Sequence, residues 1–389
     1  MNDKQREFKT MNVISIAATH LLHDAFSSFF APLIPLLIEK LGFNYAMAGT
    51  LSLVQKLPSL FNPLIGLIAD RVAIRSAIIA APIVTIVSMS LMGLSPSVTI
   101  LATLLFVCGI SAAALHVTAP VLMRRVSGTQ IGRGMSFFMF GGEIARTLGP
   151  LIITASVSLW GLEGTWRLIP FGLVASLLLF FNLRTIDKQH IQNQHKKNKT
   201  SVRRNLREVA PFFYLIAPII LFRGFSKTAL TTFLPTYMVE GGYSITNAAM
   251  ALAFLELAGA GGALMAGSLS DKAGRKNVLL VIMLLSPLLM FLFTLTSGLL
   301  QWVLLALMGL FFFASTPVFM AMIHDLNSDR PAFTNGIFMT VSFAASSIVA
   351  LLVGVFADQY GFVKTYQITA ILSLFAVPPT FFINDKSNP

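Results

Sequence analysis

Of the 389 residues, 55% are hydrophobic and only 11% charged, against about 25% charged in soluble domains, so too little polar surface exists to cover a soluble fold. The net charge of +12 does not imply nucleic acid, because the basic residues avoid the apolar segments and collect in particular loops. The single cysteine, Cys108, lies in an apolar run, which excludes a disulfide framework and a thiolate metal site.

Taken in chain order, Lys4, Arg6 and Lys9 precede an apolar segment from about Asn12 to Ile38 that is too long for a signal-peptide core and reads as a retained first span. A membrane-crossing helix needs about 20 mostly apolar residues. Twelve segments qualify: 12–38, 46–69, 76–94, 98–123, 134–158, 167–183, 210–239, 245–269, 277–297, 300–324, 331–356 and 363–383. The expected fold is an all-α integral membrane protein of twelve transmembrane helices. Residues 184–209 are polar and basic, a solvated linker between a six-helix half at 1–183 and a second at 210–389. Of the 28 Lys and Arg, 21 fall on the side of the termini and linker, and three (Lys40, Arg167, Lys364) on the other. The positive-inside rule then puts both termini and the linker in the cytoplasm, with the chain in the cytoplasmic (inner) membrane.

Two charged turns repeat at half-chain spacing. The later one runs Gly267-Ser-Leu-Ser-Asp271-Lys272-Ala-Gly274-Arg275-Lys276, and the earlier one Gly66-Leu-Ile-Ala-Asp70-Arg71-Val-Ala-Ile-Arg75, with glycines and aspartates each 201 residues apart. Glycine allows close helix approach, and the charges sit where helix ends expose partial charges. Such a turn can act as an ionic latch; the plain alternative is a topology anchor. Arg124 and Arg125 are placed to meet Asp70, and His324 and Asp325 occupy the corresponding end of span ten.

Twelve spans in two halves with this turn after spans two and eight resemble the major facilitator superfamily, whose motif is Gly-x-x-x-Asp-Arg/Lys-x-Gly-Arg/Lys-Arg/Lys. The later copy matches at every specified place, while Ala73 and Ile74 depart from it in the earlier one. The resemblance implies a secondary transporter that works by alternating access, as a monomer. A narrower match, Leu115-His116-Val117 with Arg133-Gly134, Gly141-Gly142-Glu143 and Gly149-Pro150, resembles the fosmidomycin-resistance group of drug exporters, and His23-Asp24 is similar to that group's Asn-Asp pair. Val117 and Glu143 depart from the group's Pro and Asn.

Charges near mid-bilayer normally face a cavity or a partner, since each costs at least about 2.5–3.5 kcal/mol to insert. Here they are Asp24, Lys56, Glu143, Arg146, Arg223, Lys227 and Glu256, in spans one, two, five, seven and eight. Spans three, six, nine and twelve carry none, and the superfamily resemblance implies that these four face lipid. His20, Asp24 and Ser27 share one helix face, as do Arg223 and Lys227. An acidic face in span one and a basic one in span seven suit a carboxylate paired with cations, or an anionic substrate between them; fixed salt bridges are the alternative. Glu143 and Arg146 are spaced to neutralise each other on one helix. Lys56 is placed to meet Asp24 from the neighbouring span. Asp24 is the first candidate for proton coupling and Glu256 the second, with His20, His23 and His116 able to titrate near neutral pH.

No catalytic constellation, no metal-spaced His/Cys/Glu cluster and no phosphate-cradling loop is legible, so no enzyme, metal or cofactor is expected. The partners expected are a small-molecule substrate, a proton and membrane lipid, with no nucleic acid. The favoured function is proton-coupled efflux of a small organic compound, anionic if the span-seven cations bind it. Import of an organic-anion nutrient is the alternative, and a channel or receptor is more remote.

Overall fold

A computed structural model describes residues 8–69, 74–128, 131–183, 202–326, 328 and 331–383. The fold is all-α, with no strand among the described residues. The helices are α1 Thr10–Ser27, α2 Phe30–Leu41, α3 Tyr45–Lys56, α4 Asn62–Ala69, α5 Ile74–Ser90, α6 Val98–Val126, α7 Ile131–Trp160, α8 Leu168–Leu183, α9 Val202–Glu240, α10 Ile245–Ala273, α11 Arg275–Phe293, α12 Leu299–Asp325, α13 Pro331–Ser373 and the short α14 Val377–Thr380.

Local chemistry accounts for the boundaries. Ser97 and Ser244 cap α6 and α10, their hydroxyls accepting from the amides of Ile100 at 3.3 Å and Asn247 at 3.2 Å. Pro58 opens a 3₁₀ turn over Leu57–Phe61 that separates α3 from α4. Gly361, at φ 72°, breaks α13 into two helices, and Gly274, at φ 87°, turns α10 into α11 in a conformation that a residue with a Cβ adopts only under strain.

Among the described residues, eight stretches are long and apolar enough to cross a membrane. The least buried is Leu162–Leu183, with 17% of its apolar window inside the protein. Its outward residues are Phe171, Val174, Leu177, Leu178 and Phe181, an uncharged surface suited to hydrocarbon. On α11, Val281, Leu284, Leu288 and Leu292 stand out along one face, while Ile282, Met283 and Met290 are buried on another.

The chain forms two compact units, Met1–Leu41 with Val54–Lys197, and Gly42–Leu53 with Asn198–Pro389. The first unit's core joins Val13 and Ile16 of α1 to Ile78 of α5, Leu115 and Leu122 of α6 and Phe138 of α7. Glycines on α7 bring its backbone onto α1: a Cβ on Gly141 would lie 2.6 Å from the Ala17 carbonyl, and one on Gly149 2.4 Å from that of Ala25. Away from that core, Lys40 at the end of α2 donates to the Gly93 carbonyl at 2.8 Å and to Glu163 at 2.7 Å.

The second unit's core is built from Ile216 and Ile219 of α9, Ile282 and Met283 of α11, Val318 and Phe319 of α12, and Phe338 of α13. Residues 42–53 group with it although they precede the linker. The Asp358 carboxylate on α13 accepts the amides of Tyr45 and Ala46 at 2.8 Å each, satisfying the first free N–H groups of α3. Below that cap, Gly49 admits the Ala350 carbonyl, which would lie 2.3 Å from a Cβ there.

Candidate functional site: a carboxylate among three imidazoles

Asp24 is buried in the first unit, and its ion-pair partners are all histidines: His20 one turn earlier on α1, the adjacent His23, and His116 from α6. Its Oδ2 lies 3.2 Å from His20 Nε2, and its Oδ1 lies 3.3 Å from His116 Nε2 and 3.9 Å from His23 Nε2. The two imidazole nitrogens of His20 and His116 are 3.3 Å apart. His116, with 26% of its side chain exposed, is the least buried member of the cluster.

The far ring nitrogens determine the tautomers. His20 Nδ1 lies 2.8 Å from the Phe138 carbonyl, and His116 Nδ1 lies 2.9 Å from the Ala112 carbonyl. A carbonyl only accepts, so both Nδ1 atoms carry hydrogen, and both Nε2 atoms are bare lone pairs in the neutral rings. His23 follows the same pattern through a relay. Ser111 donates to the Cys108 carbonyl at 2.7 Å and therefore accepts from Thr85, whose oxygen is left to accept from His23 Nδ1 at 2.9 Å. His23 Nε2, fully buried, has no hydrogen-bond partner. Three imidazole lone pairs thus face a carboxylate, and a proton or other cation among them would relieve their mutual repulsion.

The surrounding helices hold this geometry. The His20 ring stacks on Phe138 with centroids 4.0 Å apart. Gly142 makes the room: a Cβ there would come within 2.5 Å of His20 Cε1. The Gly-Gly pair of α7 therefore supports the cluster directly, a role invisible before the helices are docked.

Several expected contacts form and one does not. His20 and Asp24 share a face, with Ser27 donating to the Asp24 carbonyl at 3.1 Å. Glu143 and Arg146 form a short ion pair along α7. Lys56 does not meet Asp24. Its neighbour Gln55 instead turns to α1, donating to the Ser27 carbonyl at 3.1 Å, because Pro58 and the 3₁₀ turn end α3 there and rotate the next side chain away. A grouping that the sequence did not suggest also forms: His20, Asp24 and His116 offer potential ligand atoms within 4.8 Å of one another. The sequence hides this because the third ligand lies 92 residues after Asp24. His23, expected to titrate near neutral pH and to match one member of the resembled group's Asn-Asp pair, joins the same cluster.

In the second unit, the buried Arg223 donates through Nη1 to the Phe312 carbonyl at 3.1 Å and to Ser315 Oγ at 2.6 Å, and lies over Phe319 at 5.7 Å. Its buried Nε has no hydrogen-bond partner. Lys227, one turn along, places its ammonium 4.6 Å from the Phe313 ring centre. Glu256 on α10 is buried. At the later charged turn, Arg275 reaches Asp325 at 3.4 Å, a partner from the end of α12, and also donates to Ser270. Lys272 and Lys276 lie on the same turn. Asp70 and Arg71 lie outside the described residues, as do the side chains of Asp271, Arg124, Arg125 and His324, and the surroundings of Gly66 and Gly267.

Comparison with known proteins fits this architecture. The fosmidomycin resistance protein of Escherichia coli (strain K12) is 25% identical over 378 residues, spanning 96% of this chain and 92% of that protein. A bacterial homolog of the human lysosomal transporter Spinster, solved in an inward-facing and unoccupied conformation, superposes with a TM-score of 0.80 at 15% identity, covering 97% of each chain. A D-xylose-proton symporter superposes with a TM-score of 0.72 at 14% identity, covering 96% of this chain and 99% of that one. A family model for the Major Facilitator Superfamily matches residues 16–349. The chain belongs to the Major Facilitator Superfamily: it is a multi-pass membrane transporter and not an enzyme.

Proposed function

We propose that this transporter exports a small organic compound across the cytoplasmic membrane by alternating access, exchanging it for protons bound at the Asp24 cluster. The observation that carries the reading is the ion pairing of a buried carboxylate with imidazoles alone. A lysine or arginine would neutralise Asp24 permanently, whereas imidazoles do so only while protonated, so the neutralising cation is exchangeable. His20, His23 and His116 face Asp24 directly, and Arg146 and Cys108 also lie within electrostatic reach of the cluster. Export is favoured by the likeness to a protein named for fosmidomycin resistance, and coupling to protons by the likeness in fold to a proton symporter.

The topology belongs to the same proposal: twelve spans, with both termini and the basic linker cytoplasmic. Beyond the eight long stretches, α3–α4 is split by its 3₁₀ turn, Ile78–Leu94 is a shorter apolar helix, α7 carries Glu143 and Arg146, and Gly361 divides the last stretch in two. Those four account for the remaining spans.

The substrate is expected to be an anion. Arg223 holds its position through Nη1 and keeps a buried Nε with no protein acceptor, a donor suited to a carboxylate or phosphonate oxygen. Arg275 with Asp325 then forms part of the latch that biases the conformational equilibrium. The test is reconstitution into liposomes with an internal pH dye, using compounds that raise the melting temperature of the purified protein. Substrate movement that releases or takes up protons is the expected result. Movement of such a compound with no proton flux and no response to an imposed pH gradient contradicts the reading.

A further inference from the structure

The ligand atoms of His20, Asp24 and His116 are close enough together to share one metal ion. His20 Nε2 and His116 Nε2 stand 3.3 Å apart, and each faces a different oxygen of the Asp24 carboxylate, Oδ2 at 3.2 Å and Oδ1 at 3.3 Å, so that one ligand atom from each residue lies within 4.8 Å of the other two. A tetrahedral zinc ion bound at about 2.0–2.1 Å separates its nitrogen and oxygen ligands by about 3.3 Å. Both imidazoles are already oriented as metal ligands usually are, each donating its other N–H to a backbone carbonyl, Phe138 for His20 and Ala112 for His116. His23 Nε2, buried with no hydrogen-bond partner, lies 3.9 Å from Asp24 Oδ1, beside this three-residue group.

We propose that His20, Asp24 and His116 form a binding site for a divalent transition-metal ion of the zinc or cobalt type. The inference rests on the reading of this cluster as an exchangeable-cation site and names a second cation for it. Two imidazoles and one carboxylate suit zinc, cobalt and nickel, and they disfavour magnesium and calcium, which take oxygen ligands. The metal and protons compete for the same lone pairs, so binding releases protons and weakens as pH falls. The more exposed edge of His116 gives the ion its way in. A bound ion occupies the atoms that carry the proton in transport, and zinc is therefore expected to inhibit it.

The experiment is a binding titration on the purified full-length protein, stripped with a chelator and titrated with Co²⁺, whose tetrahedral complexes absorb strongly in visible light. The proposal expects one equivalent of Co²⁺ with that absorption, displaced by Zn²⁺ and unaffected by excess Mg²⁺. His116→Gln and Asp24→Asn, matched to wild type by gel filtration and circular dichroism, are each expected to weaken binding by at least about tenfold. Absence of the band, or unchanged binding in both variants, overturns the site. If neither variant folds, X-ray absorption of the zinc-loaded wild type decides instead: two imidazole ligands per ion support the proposal, and one or none overturns it. Because the readout is binding in detergent, a chain that moves no protons can still pass this test, and one that transports can still fail it.

Discussion

His20 Nε2 and His116 Nε2 stand 3.3 Å apart with no hydrogen between them when both rings are neutral, because each has committed its only N–H to a backbone carbonyl. Two lone pairs at that separation repel, and Asp24 adds a negative charge within 3.3 Å of both. A proton or a metal ion between the groups would relieve that repulsion. α1, α6 and α7 hold it together, so the state of this cation is linked directly to the packing of three helices.

The glycines of α7 separate two effects. Gly142→Ala places a methyl 2.5 Å from the His20 ring, whereas Gly149→Ala places one 2.4 Å from the Ala25 carbonyl. A side chain can move aside and a helix backbone cannot. We expect Gly149→Ala to destabilise by about 1–3 kcal/mol, seen as a lower melting temperature and yield. Gly142→Ala is expected to melt closer to wild type but to transport poorly, because the displaced ring moves away from Asp24 and His116. Equal losses of stability and transport in both variants would show that Gly142 serves packing alone.

Arg223 offers a test of the anion reading. Lysine keeps the charge and loses the fork, so Arg223→Lys removes either the anchor to Phe312 and Ser315 or the free donor. Affinity for an anionic substrate is expected to fall about tenfold or more, the value of one hydrogen bond to a charged group. Ser315→Ala is expected to cost about 1 kcal/mol of stability with affinity retained, and Glu143→Gln to leave affinity near wild type. Calorimetric titration of the substrate into the three variants checks this order.

At the later charged turn, the backbone outweighs the ion pair. The Arg275–Asp325 pair has its carboxylate half exposed and is expected to contribute about 0.2–1 kcal/mol. Gly274 sits at φ 87°, where an alanine is strained by roughly 1–2 kcal/mol. Gly274→Ala should therefore raise hydrogen exchange across the α10–α11 junction more than Asp325→Asn does. The reverse order would make the ion pair the dominant restraint.

How much of this was legible before the chain was folded varies by the range of the interaction. The apolar segments and the His20–Asp24 face are local patterns set by composition and by the 3.6-residue helical period, and the described helices follow them. Glu143 and Arg146 pair as their spacing suggested. Interhelical choices were not legible. Whether Lys56 or His116 meets Asp24 depends on how α3 ends at Pro58 and how α6 is rotated, and nothing within one helix encodes either. The grouping of residues 42–53 with the second unit is hidden for the same reason, since the Asp358 cap lies more than 300 residues away in sequence.

The most direct measurement is paired transport assays on Asp24→Asn in liposomes, one driven by a pH gradient and one by substrate exchange across a membrane without a gradient. Asparagine keeps the size of the side chain and removes the charge that gathers the imidazoles. If the Asp24 cluster couples protons to transport, gradient-driven movement is abolished while exchange continues and the protein remains folded. Gradient-driven transport at the wild-type rate in Asp24→Asn would contradict the account.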